Sequence, residues 1–182
     1  MPLTLSVITR IGRALFGLTK RSLSSVDEHR YLTRVHWNAG GGSGTSGYRA
    51  YHRDHTIAVA GKGTILASSD PSFRGDATRY NPEELLVASL SSCHMLWYLH
   101  LCATNGVTVV EYTDDAVGTM VPDPDGAGHF ERVELRPRVT VADGSSRERA
   151  FALHEKAHHM CFIARSVNFP VEIRASVTQR AI

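Results

Sequence analysis

Hydrophobic and polar positions along this 182-residue chain follow two periods, and the change between them marks out the elements. Residues 31–37 (Tyr-Leu-Thr-Arg-Val-His-Trp) read as a strand. Residues 48–60 alternate well enough for a second, Gly61-Lys62-Gly63 for a tight hairpin turn, and residues 64–69 for the return strand. Residues 70–80, with Pro71, Gly75 and Asp76, form a loop. The period then lengthens. Asn81 can cap a helix, Pro82 suits its first position, and Glu83 and Glu84 complement the dipole of the first turn. An apolar, small-residue run through Leu85, Ala88, Leu90, Leu96, Leu99 and Ala103 follows, closed by Asn105-Gly106. This predicts a long, mostly buried helix with a cysteine, Cys93, at its middle.

Residues 107–120 are β-branched and strand-like, and Pro122-Asp123-Pro124-Asp125-Gly126 is turn chemistry. Residues 130–141 alternate about Pro137, which predicts an edge strand or a bulge there. Residues 145–166 carry Ala150, Leu153, Ala157, Cys161 and Ala164 at helical spacing. Asn168-Phe169-Pro170 ends that helix, and residues 171–178 read as a last strand. Three strands, helix, two strands, helix, strand is an α+β order with antiparallel sheet, in one domain over residues 29–182.

The glycine-rich stretch at residues 40–47 lacks the Lys-Ser/Thr ending and following helix of a phosphate loop, so a turn between strands is the expectation. A net charge of +2 with scattered basic residues gives no electrostatic footprint for nucleic acid. Three cysteines are too few for a secreted disulfide framework and fit an intracellular, cytoplasmic protein with reactive thiols. Residues 1–28 differ from the rest. Ile8, Ile11, Leu15, Phe16 and Leu18 alternate with Arg10, Arg13, Lys20 and Arg21, and no acid precedes Asp27. A surface helix, a targeting peptide, an unordered extension and a mis-assigned start all fit that pattern. It is too interrupted to span a membrane.

Cys93 and Cys161 lie at similar settings in the two predicted helices. Two packed thiols and a reactive dithiol both fit. A dithiol site needs one sulfur held as thiolate, and arginine is the most dependable activator. Arg49, Arg53, Arg74 and Arg79 are the candidates upstream. Cys102 follows Cys93 by nine residues, about 900° of helical turn, so it faces the other way and reads as a small core hydrophobe.

Asn-Pro-Glu-Glu-Leu-Leu followed by Ser-Ser-Cys, and a later His-x-x-Cys before a closing strand, resemble the OsmC/Ohr family of peroxidases. Phe73-Arg74-Gly75-Asp76, Cys93-His94-Met95-Leu96 and Cys161-Phe162-Ile163-Ala164 bring the chain nearer the OsmC-like branch, over about residues 31–178. The resemblance implies an intertwined homodimer with sheets wrapped around two long central helices and sites at the subunit interface. It implies that Cys93 attacks an organic hydroperoxide, that Cys161 resolves the sulfenic acid to a disulfide, and that a thiol reductant reopens it. The glutamate that pairs with the activating arginine falls on Glu83. Better-studied members carry the arginine near the first hairpin turn, where this chain has glycines, and Arg53 is the favoured substitute. Ten residues of straight helix would hold Glu83 about 15 Å from Cys93, so either a bend intervenes or Glu83 serves the other subunit.

Other classes compete. His154, His158 and Cys161 share a helical face, and an i, i+4 histidine pair can bind zinc, with Cys93 and His94 as further ligands. The expectation is nonetheless no metal and no cofactor, with these histidines, like His55 and His100, at the surface or hydrogen-bonded. A cysteine acyl-transfer enzyme would need a histidine base and an orienting group, and no local signature supplies them. A non-catalytic ligand-binding dimer is the alternative to the peroxidase. Leu96, Trp97, Phe162 and Phe169 are candidates to line an apolar entrance.

Overall fold

The computed structural model describes residues 28–180, and the unit from Thr33 onward carries the fold. The expectation of a separate extension over residues 1–28 falls, but for Glu28, outside the described residues.

The first three strands, β1 (Arg34–His36), β2 (His55–Ala58) and β3 (Ile65–Ala67), form an antiparallel sheet in that order. They are shorter than the sequence pattern suggests, because residues 48–51 turn rather than extend. Gly61, at φ +76°, lies in the β2–β3 turn, where Lys62 N–H donates to Val59 O at 3.1 Å. The loop that follows needs its glycine. A Cβ on Gly75 would stand 1.5 Å from Ser69 O.

Helix α1 (Pro82–Thr104) begins where the sequence places it. Asn81 Oδ1 accepts from Glu84 N–H at 2.8 Å while Glu84 Oε2 accepts from Asn81 N–H at 3.1 Å, a reciprocal capping box. At the far end Gly106, at φ +71°, lets Val107 N–H reach back to Cys102 O at 3.0 Å. The helix is long and apolar enough by length and composition to cross a bilayer. Its buried stripe of Leu90, His94, Tyr98, Leu101 and Cys102 is instead packed inside the protein.

The three later strands of the sequence reading are each bent into two. Residues 107–120 become β4 (Val109–Asp114) and β5 (Val117–Pro122). Residues 130–141 become β6 (Gly128–Leu135) and β7 (Pro137–Val141), and residues 171–178 become β8 (Val171–Ile173) and β9 (Ser176–Gln179). The halves lie in separate sheets, ordered β4-β7-β9 and β5-β6-β8.

Charged side chains tie the corners. Asp114 Oδ1 accepts from Arg136 N–H at 2.6 Å, and its Oδ2 accepts from the Ser91 hydroxyl of α1 at 2.5 Å. Glu134 is ion-paired to Arg136 and to Arg174, joining the second and third corners. Pro137 is therefore neither at an edge nor in a bulge. It opens a central strand just past the corner, where its missing N–H is tolerated. The sheets are also mixed: β4-β7 and β5-β6 are antiparallel, whereas β6-β8 and β7-β9 are parallel. A parallel return requires a crossover, and α2 (Arg147–Met160) supplies it.

α2 is shorter than the 145–166 span expected. Cys161 is its C-cap at ψ 110°, and a tight 3₁₀ turn, Ala164–Ser166, follows. α1 bridges two apolar clusters. Tyr98, Leu101 and Cys102 pack with Val139 and Val141 of β7 and Ala150, Leu153 and Ala157 of α2. Leu90 packs with Val133 and Leu135 of β6, with Val87, Phe130 and Phe169 around them.

Candidate active site

The buried stripe of α1 steps from Leu90 in one cluster to Tyr98 in the other, and residue 94 lies halfway. Cys93 therefore sits at the junction of the two cores, half-buried. Cys161, at the end of α2, is 1% exposed, and Cys93 lies near enough to influence its thiol. Burial pushes the Cys161 thiol up to about 11, and Cys93 adds to that; the Ala164 N–H, donating to Sγ at 3.5 Å, offsets part of it. At neutral pH Cys161 is thus a protonated thiol beside a more accessible one. Both thiols, and that of Cys102, are free. Cys102 is buried on the opposite side of α1 among apolar groups, and desolvation raises its pKa as well.

The other two expected site residues are not joined to the thiols within this chain. α1 is continuous, so Glu83 stands about 15 Å along the axis from Cys93. Glu83 lines a groove of about 1180 Å³ between α1 and the β5–β6 hairpin, floored by Val87, Met95, Val117 and Phe130. Its Oε2 is buried without a hydrogen-bond partner among the described residues. Arg53 is engaged in its own loop. Its guanidinium donates to Tyr51 O at 2.5 Å and Tyr48 O at 3.0 Å, and stacks 3.9 Å from the Tyr51 ring centroid. Of the other candidates, Arg79 pairs with Asp54 and Asp76 at 3.4 and 3.5 Å. Arg74 occupies a left-handed conformation at φ +70° in the loop beside the groove residues Asp70 and Phe73.

Leu96 and Phe162 are each 63% exposed, and Trp97 packs edge-on against Phe162 with centroids 5.6 Å apart. These three flank the cysteines in sequence. Phe169, in contrast, belongs to the second core, against Phe130.

The sequence reading missed one feature. His94 on α1 and His154 on α2 are 0% and 4% exposed, and their Nε2 and Nδ1 atoms are 3.1 Å apart. The rings are 5° from parallel with centroids 5.4 Å apart, the spacing of two imidazoles joined end to end in one plane. Tyr98 covers the His154 ring at 3.9 Å. Burial lowers His94 to about 4, with His158 adding to the effect, and lowers His154 to about 3, with His94 adding. Both rings are neutral at pH 7, so one N–H fills the bond between them. The only signal in the sequence was that both fall on apolar helix faces. His154 is one of the hydrogen-bonded histidines that the sequence leads one to expect, though it is buried rather than at the surface. Among the described residues, no three His, Cys, Asp or Glu side chains converge as metal ligands.

Comparison with known proteins places this geometry in a family. The family model described as OsmC-like protein matches residues 75–176. An OsmC-like protein of unknown function from Vibrio cholerae is 32% identical, with a TM-score of 0.73 over 83% of this chain and 100% of that one. An organic hydroperoxide resistance protein from Legionella pneumophila shares the fold at 16% identity and TM-score 0.61, over 82% of this chain and 97% of that one. One from Elizabethkingia anophelis does so at 20% and 0.58, over 84% and 99%. Comparison with curated proteins returned no match.

Proposed function

The chain belongs to the OsmC-like family, and from that premise we propose that it is a cytoplasmic, thiol-dependent peroxidase that reduces organic hydroperoxides. The observation that carries the reading is the pairing of a half-buried Cys93 with a buried, protonated Cys161 on a different helix. In the proposed cycle the Cys93 thiolate attacks the distal peroxide oxygen. The O–O bond breaks, the alkoxide takes a proton and leaves as alcohol, and Cys93 becomes a sulfenic acid. Cys161 then attacks that sulfur, its proton leaves with the hydroxyl as water, and a disulfide forms. Two thiols lose two electrons and one hydroperoxide gains them. A thiol reductant restores the pair. Leu96, Trp97 and Phe162 would give the approach an apolar lining suited to an organic rather than an aqueous peroxide.

A homodimer completes this reading. The Glu83 oxygen, buried without a partner among the described residues, calls for a donor beyond them, because an orphaned buried acceptor costs about 1–3 kcal/mol. A second copy seated in the groove would bring an arginine to Glu83, with Arg53 the favoured residue after its loop rearranges. One observation favours the alternative, a ligand-binding dimer without effective catalysis: no arginine–glutamate pair is assembled at Glu83 among the described residues. Hydroperoxide consumption with dithiothreitol as reductant separates the two. The peroxidase loses turnover in Cys93→Ser; a binding module consumes no hydroperoxide in either form.

A further inference from the structure

The buried His94–His154 pair has no part in that cycle, yet it joins the two helices that carry the cysteines. His94 follows Cys93 on α1, and His154 lies two turns before Cys161 on α2. Few side chains could serve there. Each neutral imidazole offers one donor and one acceptor, and here His94 Nε2 is directed at His154 Nδ1. That fixes both the spacing and the rotation of the helices. An apolar contact at the same place would allow sliding, because hydrophobic packing is non-directional. The bond lies buried between α1 and α2, with Tyr98 closing one face of His154. Its outer nitrogens, His94 Nδ1 and His154 Nε2, are buried without partners among the described residues.

We propose that His94 and His154 are positioning residues for the dithiol step, their in-line hydrogen bond setting the separation of Cys93 from Cys161. The inference rests on the dithiol reading given above. Two thiols held in register form their disulfide with a high effective concentration; two thiols on helices free to slide do not. The link therefore shifts the equilibrium in which the Cys93–Cys161 disulfide and reduced dithiothreitol exchange to two protein thiols and cyclic oxidised dithiothreitol.

The test is to measure that equilibrium constant by quenched thiol counting and peptide mapping, at pH 7. The proteins are the wild type, His94→Leu, His94→Gln and His154→Asn, each checked for cooperative melting. The glutamine amide stands where His94 Nε2 was, and the asparagine amide where His154 Nδ1 was. His94→Leu should become easier to reduce by about tenfold or more, and the two amide variants should recover part of that change. An unchanged constant in a folded His94→Leu protein would overturn the proposal. So would amide variants no better than leucine. Should the leucine variant fail to fold, the ¹⁵N–¹⁵N coupling across the histidine bond in the wild type decides. It is expected in both redox states, and its absence overturns the link. A wild type that forms no Cys93–Cys161 disulfide while showing that coupling would count against the dithiol reading instead.

Discussion

Three cysteines occupy three different surroundings, and their fates under oxidation should differ accordingly. Cys93 is half-buried at the junction of two cores, Cys161 is buried beside it, and Cys102 is enclosed with apolar neighbours on the opposite side of α1. Cys161→Ser should leave a Cys93 sulfenic acid that dimedone traps after one equivalent of organic hydroperoxide, with Cys102 unlabelled. Labelling spread over both remaining thiols would contradict the assignment. Glu83 makes a separate prediction. Glu83→Gln keeps the side-chain shape but removes the charge that would hold an activating arginine. It should lower kcat/KM for hydroperoxide by about tenfold, or 1.4 kcal/mol of transition-state stabilisation, with little change in Tm. A purely structural Glu83 would move Tm and leave kcat/KM in place. At this scale the sequence was informative wherever chemistry is local: helical periodicity alone put Cys102 opposite Cys93. It was silent on the histidine pair, whose partners are sixty residues apart and meet only when the helices pack.

Element boundaries were legible where a stop or start signal is carried by the residues themselves. Asn81 and Pro82 announce α1, and Glu84, read from the sequence only for its charge, also closes a capping box with Asn81. Asn81→Ala should cost about 1 kcal/mol in denaturant unfolding. The corners were not legible, because β4–β5 and β6–β7 bend at contacts such as Asp114 to Arg136, between residues twenty-two apart. α2 was over-extended for a related reason. Cys161 and Ala164 continue the apolar spacing of Leu153 and Ala157, with no glycine or proline to mark the break at Cys161.

Packing of α1 on α2 should also depend on pH. Unfolded histidine titrates near 6.5, whereas His94 and His154 are held to about 4 and about 3 in the fold. Above about pH 6.5 neither state binds extra protons, and these groups cost nothing. Below it the unfolded chain takes up protons that the buried rings refuse. Stability must then fall as pH drops from 6.5 until the folded values are reached. The urea midpoint of the wild type should decline over that window, and His94→Leu should decline less steeply. Parallel profiles for the two proteins would contradict the burial of a neutral pair.

Among the described residues, exposed apolar side chains include Val35, Ile65 and Leu66 on the β1–β3 sheet and Met120 along the groove that Glu83 lines. An apolar-lined groove of this size marks an interaction site more often than a bare face. On the proposed reading its occupant is a second copy. Sedimentation equilibrium should therefore give a dimer, and Met120→Asp should weaken the dimer and the peroxidase activity together. A monomeric wild type with full activity would contradict the interfacial site.

The central claim is the dithiol cycle itself, and intact mass with peptide mapping tests it most directly. The reduced protein is treated with one equivalent of cumene hydroperoxide. The account predicts loss of two hydrogens and one linked peptide pair, Cys93 with Cys161, with Cys102 still reduced. Unchanged thiols, or slow oxidation that includes Cys102, would contradict it.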